Sequence, residues 1–229
     1  MANQEPKIKT HDYIVPTSST GSTTTIRISE PNLTSENLGL ETWASSHILA
    51  SQLHHLSSKI TFPSSSNPSN LLPVLELGAG TGLVGISAAT LWSQDVVLTD
   101  LAPIVPGLEA NIALNEPGLQ EAKAVVKAGT LDWMQPTHLS ISEEKQSQTA
   151  AHVILIADCI YSEEHPELLS NVALKWLTRD KQARLIIAYP LRVCYLDEIR
   201  EMWSRLEEGG LEACEESRPQ TGSRHSIMF

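Results

Sequence analysis

The sequence predicts an α/β protein built on a doubly wound seven-strand sheet, mostly parallel with an antiparallel C-terminal strand, preceded by a short N-terminal β-hairpin and a helix. Three observations predict it. From Val74 onward, short apolar runs alternate with longer segments of helical periodicity, the pattern of parallel strands connected by crossover helices. A glycine-rich turn, Gly78-Ala79-Gly80-Thr81-Gly82, follows the first of these runs and leads straight into a helix. Two other apolar runs, Val96–Asp100 and Val153–Asp158, end in a carboxylate. With 229 residues the chain is long enough for one such domain and short for two.

In chain order, Lys7 to Val15 and Thr23 to Ser29 are rich in β-branched residues, with Gly21 between them, and are expected to pair as a hairpin. Pro31 to Gly39 reads as a loop. Thr42 is the expected N-cap of a helix in which Trp43, Ala44, Ile48, Leu49, Leu53 and Leu56 recur at helical spacing. Serines and prolines make Phe62 to Leu72 a loop. There follow strand 74–77, helix 82–92, strand 95–99, helix 104–115, strand 123–127 and a polar loop from Gln135 to Ala150. Strand 152–157, helix 165–177, strand 183–189 and helix 195–208 come next. Strands 211–216 and 226–229, joined without a helix, are expected to close the sheet as an antiparallel hairpin whose last strand is short. In such a Rossmann-like arrangement ligands bind at the carboxyl ends of the strands, where the strand order reverses.

Composition narrows the function classes. Hydrophobic residues make up 41% and charged residues 19% of the chain, ordinary for a globular protein. No apolar run approaches the roughly 18 residues of a membrane span, and the polar, mixed-charge stretch Met1 to Thr10 is no secretory signal. Cys159, Cys194 and Cys214 are widely spaced and lack metal-ligand spacing, which points to a reduced, cytoplasmic setting. His47, His54 and His55 have no third ligand nearby, so no metal is expected. The net charge of −11 argues against a nucleic-acid partner and suits a basic protein substrate. A monomer is expected.

Two motif frames share the glycines. Gly80, Gly82 and Gly85 satisfy G-x-G-x-x-G, with Asp100 twenty residues after Gly80, as in dinucleotide sites. Glu76, Gly78, Gly80 and Gly82 satisfy acidic-x-Gly-x-Gly-x-Gly, which resembles the first motif of class I S-adenosylmethionine methyltransferases. The acid favours the second frame, because it suits a cationic amino-acid group and repels a pyrophosphate. Asp100 is placed to accept ribose hydroxyls in either case. At the end of the fourth strand, Asp158 is placed to accept a hydrogen bond from an incoming amine, or else to cap the next turn. Tyr161 either walls an alkyl stem or is half-buried packing. Trp133 stacks on an adenine or is core, and Trp43 is helix core or a pocket lid. Arg192 faces the pocket rim or forms a structural salt bridge.

Leu75 to Gly85, Thr99-Asp100-Leu101, Asn111 with Asn115, and Leu131-Asp132-Trp133 occur together with Ala157-Asp158-Cys159-Ile160-Tyr161 and the upstream Glu41-Thr42-Trp43. Over about residues 40–200 this combination resembles the small seven-strand protein-lysine methyltransferases that modify elongation factors, chaperones and other non-histone proteins. The resemblance implies an N-terminal β extension over 1–40 and a class I methyltransferase domain over 41–229. It implies catalytic roles for Asp158 and Tyr161. S-adenosyl-L-methionine contacts are implied for Trp43, Glu76, Gly78, Gly80, Asp100, Trp133 and Ala157, with Leu101 flanking the adenine. Tyr161-Ser162-Glu163-Glu164-His165-Pro166 is most similar to fungal elongation-factor lysine methyltransferases, which implies a cytosolic protein substrate, a translation elongation factor. A small-molecule amine methyltransferase would share every cofactor residue, and a non-catalytic binding module on this fold is a further alternative. A nucleic-acid amino-methyltransferase would have two prolines where Cys159-Ile160 stands, and a dehydrogenase would need a hydride-transfer site.

Overall fold

The computed structural model describes residues 9–31, 33–35, 38–63, 70–141, 148–217 and 225–228. It opens with β1 (Lys9–Pro16) and β2 (Thr23–Glu30), an antiparallel pair in register from Lys9 opposite Glu30 to Pro16 opposite Thr23. A small ladder of β3 (Thr34–Ser35) and β4 (Leu38–Gly39) precedes α1 (Ala44–Leu56). Then come β5 (Leu71–Leu77), α2 (Leu83–Trp92), β6 (Val96–Asp100), α3 (Val105–Leu114), α4 (Glu116–Ala122), β7 (Val126–Leu131) and β8 (Leu139–Ser140). The remainder is β9 (Ala150–Ala157), α5 (His165–Trp176), β10 (Arg184–Pro190), α6 (Leu196–Glu208), β11 (Glu216–Ser217) and β12 (His225–Met228).

One sheet holds eight of these strands in the order β11-β12-β10-β9-β5-β6-β7-β8, parallel from β10 to β7 and antiparallel at both edges. The chain moves outward from β5 through β6 to β7, then returns to β9 on the other side of β5. Strand order therefore reverses between β5 and β9, which opens a crevice at their carboxyl ends. Successive side chains point to opposite faces, and the core divides accordingly. Val74, Leu98, Val153 and Leu155 pack with α1, α2, α3 and the hairpin residues Val15, Ile26 and Ile28. Leu75, Leu77, Ile154, Ile156 and Ile187 pack with α5 and α6 on the other face.

The doubly wound sheet and the N-terminal hairpin match the expectation, and the differences have physical causes. The sheet gains an eighth strand, β8, antiparallel to β7; its two residues are too short for a periodicity to reveal. The strand expected over 74–77 begins at Leu71. Pro73 is tolerated because β6 joins β5 only from Val74, so that Pro73 faces no ladder on that side. The helix expected over 104–115 is two helices broken at Asn115, with Pro117 in the first turn of the second. Lys123 ends that second helix in the left-handed conformation, so the strand expected over 123–127 is Val126–Leu131. Trp43, not Thr42, is the N-cap residue of α1; the Thr42 hydroxyl bonds the Thr81 hydroxyl at 3.0 Å. The closing hairpin is present, but its first strand is Glu216–Ser217 instead of 211–216. Lys7, Ile8 and Phe229, expected in strands, lie outside the described residues.

Candidate active site

The crevice is a cavity of about 750 Å³, and every site residue predicted from sequence except Glu76 lines it. The turn after β5 forms one wall. Gly78 has φ +61°, and a Cβ there would lie 2.6 Å from Cys159 Sγ and 3.0 Å from the Trp133 ring. Only glycine permits that conformation and that approach together. Ala79 N–H donates to Thr99 O at 2.9 Å, and Thr99 Oγ1 donates to Glu76 O at 2.6 Å, fixing the turn against β6. The Asp100 carboxylate is oriented by two backbone amides, from Gly80 to Oδ2 and from Leu101 to Oδ1, each at 2.8 Å.

Glu76, expected to meet the amino-acid end of a cofactor, is buried behind the turn. Its Oε2 accepts the Gly85 N–H at 2.8 Å, at the start of α2. Burial pushes its pKa up to about 8, opposed by the Gly85 amide and assisted by the charge of Asp100. A Cβ on Gly85 would come within 2.2 Å of Leu98 and 2.5 Å of Glu76 Oε2. The third glycine of the dinucleotide-like frame thus serves close packing of α2 on the sheet and contact with this acid.

Asp158 follows β9 with φ +61°, a rare conformation for a residue with a side chain. Its own N–H donates to Ala188 O at 2.9 Å. The carboxylate is buried: Ser45 Oγ of α1 donates to Oδ2 at 3.0 Å, and Arg192 Nη2 donates to the same oxygen at 3.2 Å. Arg192 Nη1 stands 3.0 Å from Oδ1 as an ion pair, yet among the described residues no hydrogen bond reaches Oδ1. The Arg192 guanidinium also sits 6.0 Å from the centre of the half-exposed Trp43 ring. Arg192 therefore forms the salt bridge of the two sequence alternatives; it does not line the cavity itself but stands beside two residues that do, Asp158 and Trp43.

Sequence reasoning did not single out Ser45 or His165. His165 is buried edge-on between Tyr161 (ring centroids 4.2 Å apart) and Trp133 (5.5 Å). Its Nδ1 lies 2.8 Å from Cys159 O and 3.4 Å from the Tyr161 backbone nitrogen, which ties the ring to the segment after β9. The run Tyr161 to Pro166 was the only signal for it. Burial, then the charges of Asp100, Asp158 and Glu76, push the Cys159 thiol well above its ordinary range, so that it packs as a neutral group. Five carboxylates line the cavity (Glu41, Asp100, Asp132, Asp158 and Glu164), an electrostatic setting for a cationic ligand. Among the described residues, no group of three or more His, Cys, Asp or Glu side chains could hold a metal ion.

A glycine turn and two strand-end carboxylates meeting at the reversal point of this sheet define a Rossmann-like methyltransferase. The chain belongs to the lysine methyltransferase family, whose model matches residues 22–201; the cofactor of this family is S-adenosylmethionine. It is 37% identical over 204 residues to protein-lysine N-methyltransferase EFM2 of Saccharomyces cerevisiae, covering 84% of this chain and 46% of that protein. To protein-lysine N-methyltransferase rrg1 of Schizosaccharomyces pombe it is 35% identical over 185 residues, covering 80% and 56%. The chain thus spans about half the length of these curated relatives. A methyltransferase from Pyrococcus furiosus shares the fold at a TM-score of 0.50 and 18% identity, over 68% of this chain and 73% of that one.

Proposed function

We propose that this protein is an S-adenosylmethionine-dependent protein-lysine N-methyltransferase acting on a cytosolic non-histone protein. The observation that carries this reading is the convergence in one cavity of the glycine turn, the amide-held Asp100 and the strand-end Asp158. The residues present fit the cofactor. A Cβ built on Gly80 meets nothing within 4 Å, which leaves backbone facing the cavity where a ligand can approach.

When bound, S-adenosylmethionine supplies an electrophilic methyl group on a sulfonium. In this reading Asp100, oriented by the two amides, accepts ribose hydroxyls. Leu101 and Trp133 flank the adenine, while Trp43, Gly78, Gly80 and Ala157 complete the walls. Glu76 acts from behind, holding the turn to α2. Tyr161, braced by His165, walls the alkyl stem of the target lysine, and the Asp158 carboxylate accepts an N–H from its amine. The amine must arrive neutral and aligned. Positioning then supplies most of the rate, and the enclosed cavity disfavours the charged amine.

The finer substrate, a translation elongation factor, rests on the resemblance to fungal elongation-factor lysine methyltransferases and agrees with the similarity to yeast EFM2. We also assign residues 1–40 to a β extension and 41–229 to the methyltransferase domain, with the protein working as a cytoplasmic monomer without nucleic acid. No helix among the described residues is long and apolar enough to cross a membrane.

Isothermal calorimetry with S-adenosylmethionine tests the cofactor assignment. Wild type is expected to bind. Asp100→Asn is expected to weaken binding about tenfold or more, the scale of a lost hydrogen bond to a charged group. Unchanged affinity would contradict the ribose role, and no binding by wild type would contradict the proposed function.

A further inference from the structure

The acid that would receive the lysine is already paired with a cation. Arg192, in the segment between β10 and α6, places its guanidinium 3.0 Å from Oδ1 and 3.2 Å from Oδ2 of Asp158. Ser45, from α1, gives Oδ2 a second donor, while the buried Oδ1 has the guanidinium as its ion-pair partner. The Arg192 side chain is about one-third exposed, and its guanidinium carbon lies 6.0 Å from the centre of the Trp43 ring.

This arrangement bears on a chemical requirement of the reaction. A lysine amine attacks only when neutral, whereas its ordinary pKa is about 10.4. The ionisable groups around the cavity are mainly acidic. Glu41 precedes α1, Asp100 ends β6, Asp132 follows β7, Asp158 follows β9 and Glu164 precedes α5. Cys159, Tyr161 and His165 also face the cavity, while among the described residues no lysine or arginine lines it. Such a ring of carboxylates draws a cation in but also holds its proton, because nearby negative charge favours the charged form of an amine. A bare Asp158 would do so most strongly. A guanidinium cannot be deprotonated in proteins, so Arg192 offsets the Asp158 charge at every working pH.

We propose that Arg192 is a positioning residue that acts through Asp158: by neutralising the carboxylate it lets the site accept a lysine as neutral amine instead of ammonium. The inference rests on the methyltransferase reading above. A merely structural salt bridge would anchor the segment after β10 and have no part in the protonation of the substrate.

The two roles separate in a pH profile. The probe is tritium transfer from labelled S-adenosylmethionine to protein in a lysate of cells lacking this protein, measured from about pH 6.5 to about pH 10. Arg192→Gln is expected to move the rising limb of the profile upward by about one pH unit. That shift gives about a tenfold loss near neutrality which closes at alkaline pH, the scale of one unit charge several ångströms from the amine. Arg192→Lys keeps the charge and is expected to follow wild type. Calorimetric binding of S-adenosylhomocysteine should be the same in all three proteins. Loss by a constant factor at every pH, an Arg192→Lys variant as impaired as Arg192→Gln, or loss of S-adenosylhomocysteine binding would each overturn the proposal in favour of a structural role. If wild type binds the cofactor yet labels no protein at any pH, the lysine methyltransferase reading itself fails, and this inference with it.

Discussion

Glu76 illustrates that a motif fixes a residue's place in the chain but not the direction its side chain takes. Its position at the end of β5 is the motif position, but the side chain turns back to the first turn of α2 and is 2% exposed. Burial raises its pKa from an ordinary 4.5 to about 8. The sign of the consequence follows from proton linkage. Between about pH 4.5 and about pH 8 the folded state binds more protons at this site than the unfolded chain, so the contribution of Glu76 is full below that window and is lost as pH rises through it. Replacing it with Gln removes the titration. Chemical denaturation across this range should find Glu76→Gln gaining on wild type as pH increases; a pH-independent difference would refute the buried-acid account. Asp158 is a strained acid, in a left-handed conformation that costs on the order of 1–3 kcal/mol. Its amide bond to Ala188 and the contacts from Ser45 and Arg192 hold it there.

At the scale of elements, the resemblance singled out Asn111 and Asn115 without assigning them work. They prove to be a clamp. About one turn apart, in α3 and at its C-cap, they meet alternate residues of β2. Asn111 Oδ1 accepts from the Ser29 N–H and hydroxyl at 2.8 and 3.0 Å, while its Nδ2 donates to Ser29 O and to Thr81 O in the glycine turn. Asn115 exchanges the same pair of bonds with the Arg27 backbone, at 2.9 and 2.7 Å. Two side chains thus supply the hydrogen bonds a neighbouring strand would supply, and they join hairpin, helix and glycine turn. Asn111 is fully buried, and its loss would leave several backbone groups unsatisfied. Asn111→Ala should lower stability by about 3 kcal/mol in urea denaturation. A change near zero would mean that the clamp is redundant.

Across the whole molecule, what the sequence disclosed depends on the range of the interaction. The glycine turn, Asp100 and Asp158 were legible because each ends an apolar run, and a strand end in a parallel sheet is a place as well as a pattern. The sheet was legible except where its strands are only two residues long, as in β8 and β11. Contacts across large sequence separations were not. Ser45 lies 113 residues from Asp158, and Arg192 lies 34 residues beyond it; neither periodicity nor local motif signals such a partner. His165 stayed unassigned because its role depends on three elements packing at once.

The central claim is that this cavity methylates a protein lysine with Asp158 as the acceptor-side acid. It is tested most directly by incubating wild type and Asp158→Ala with tritiated S-adenosylmethionine in a lysate of cells lacking the protein, then mapping the label. The account predicts a discrete labelled protein in the wild-type reaction, with tritium on lysine, and its loss in the variant while cofactor binding persists. Equal labelling by Asp158→Ala, or label on a residue other than lysine, would contradict it.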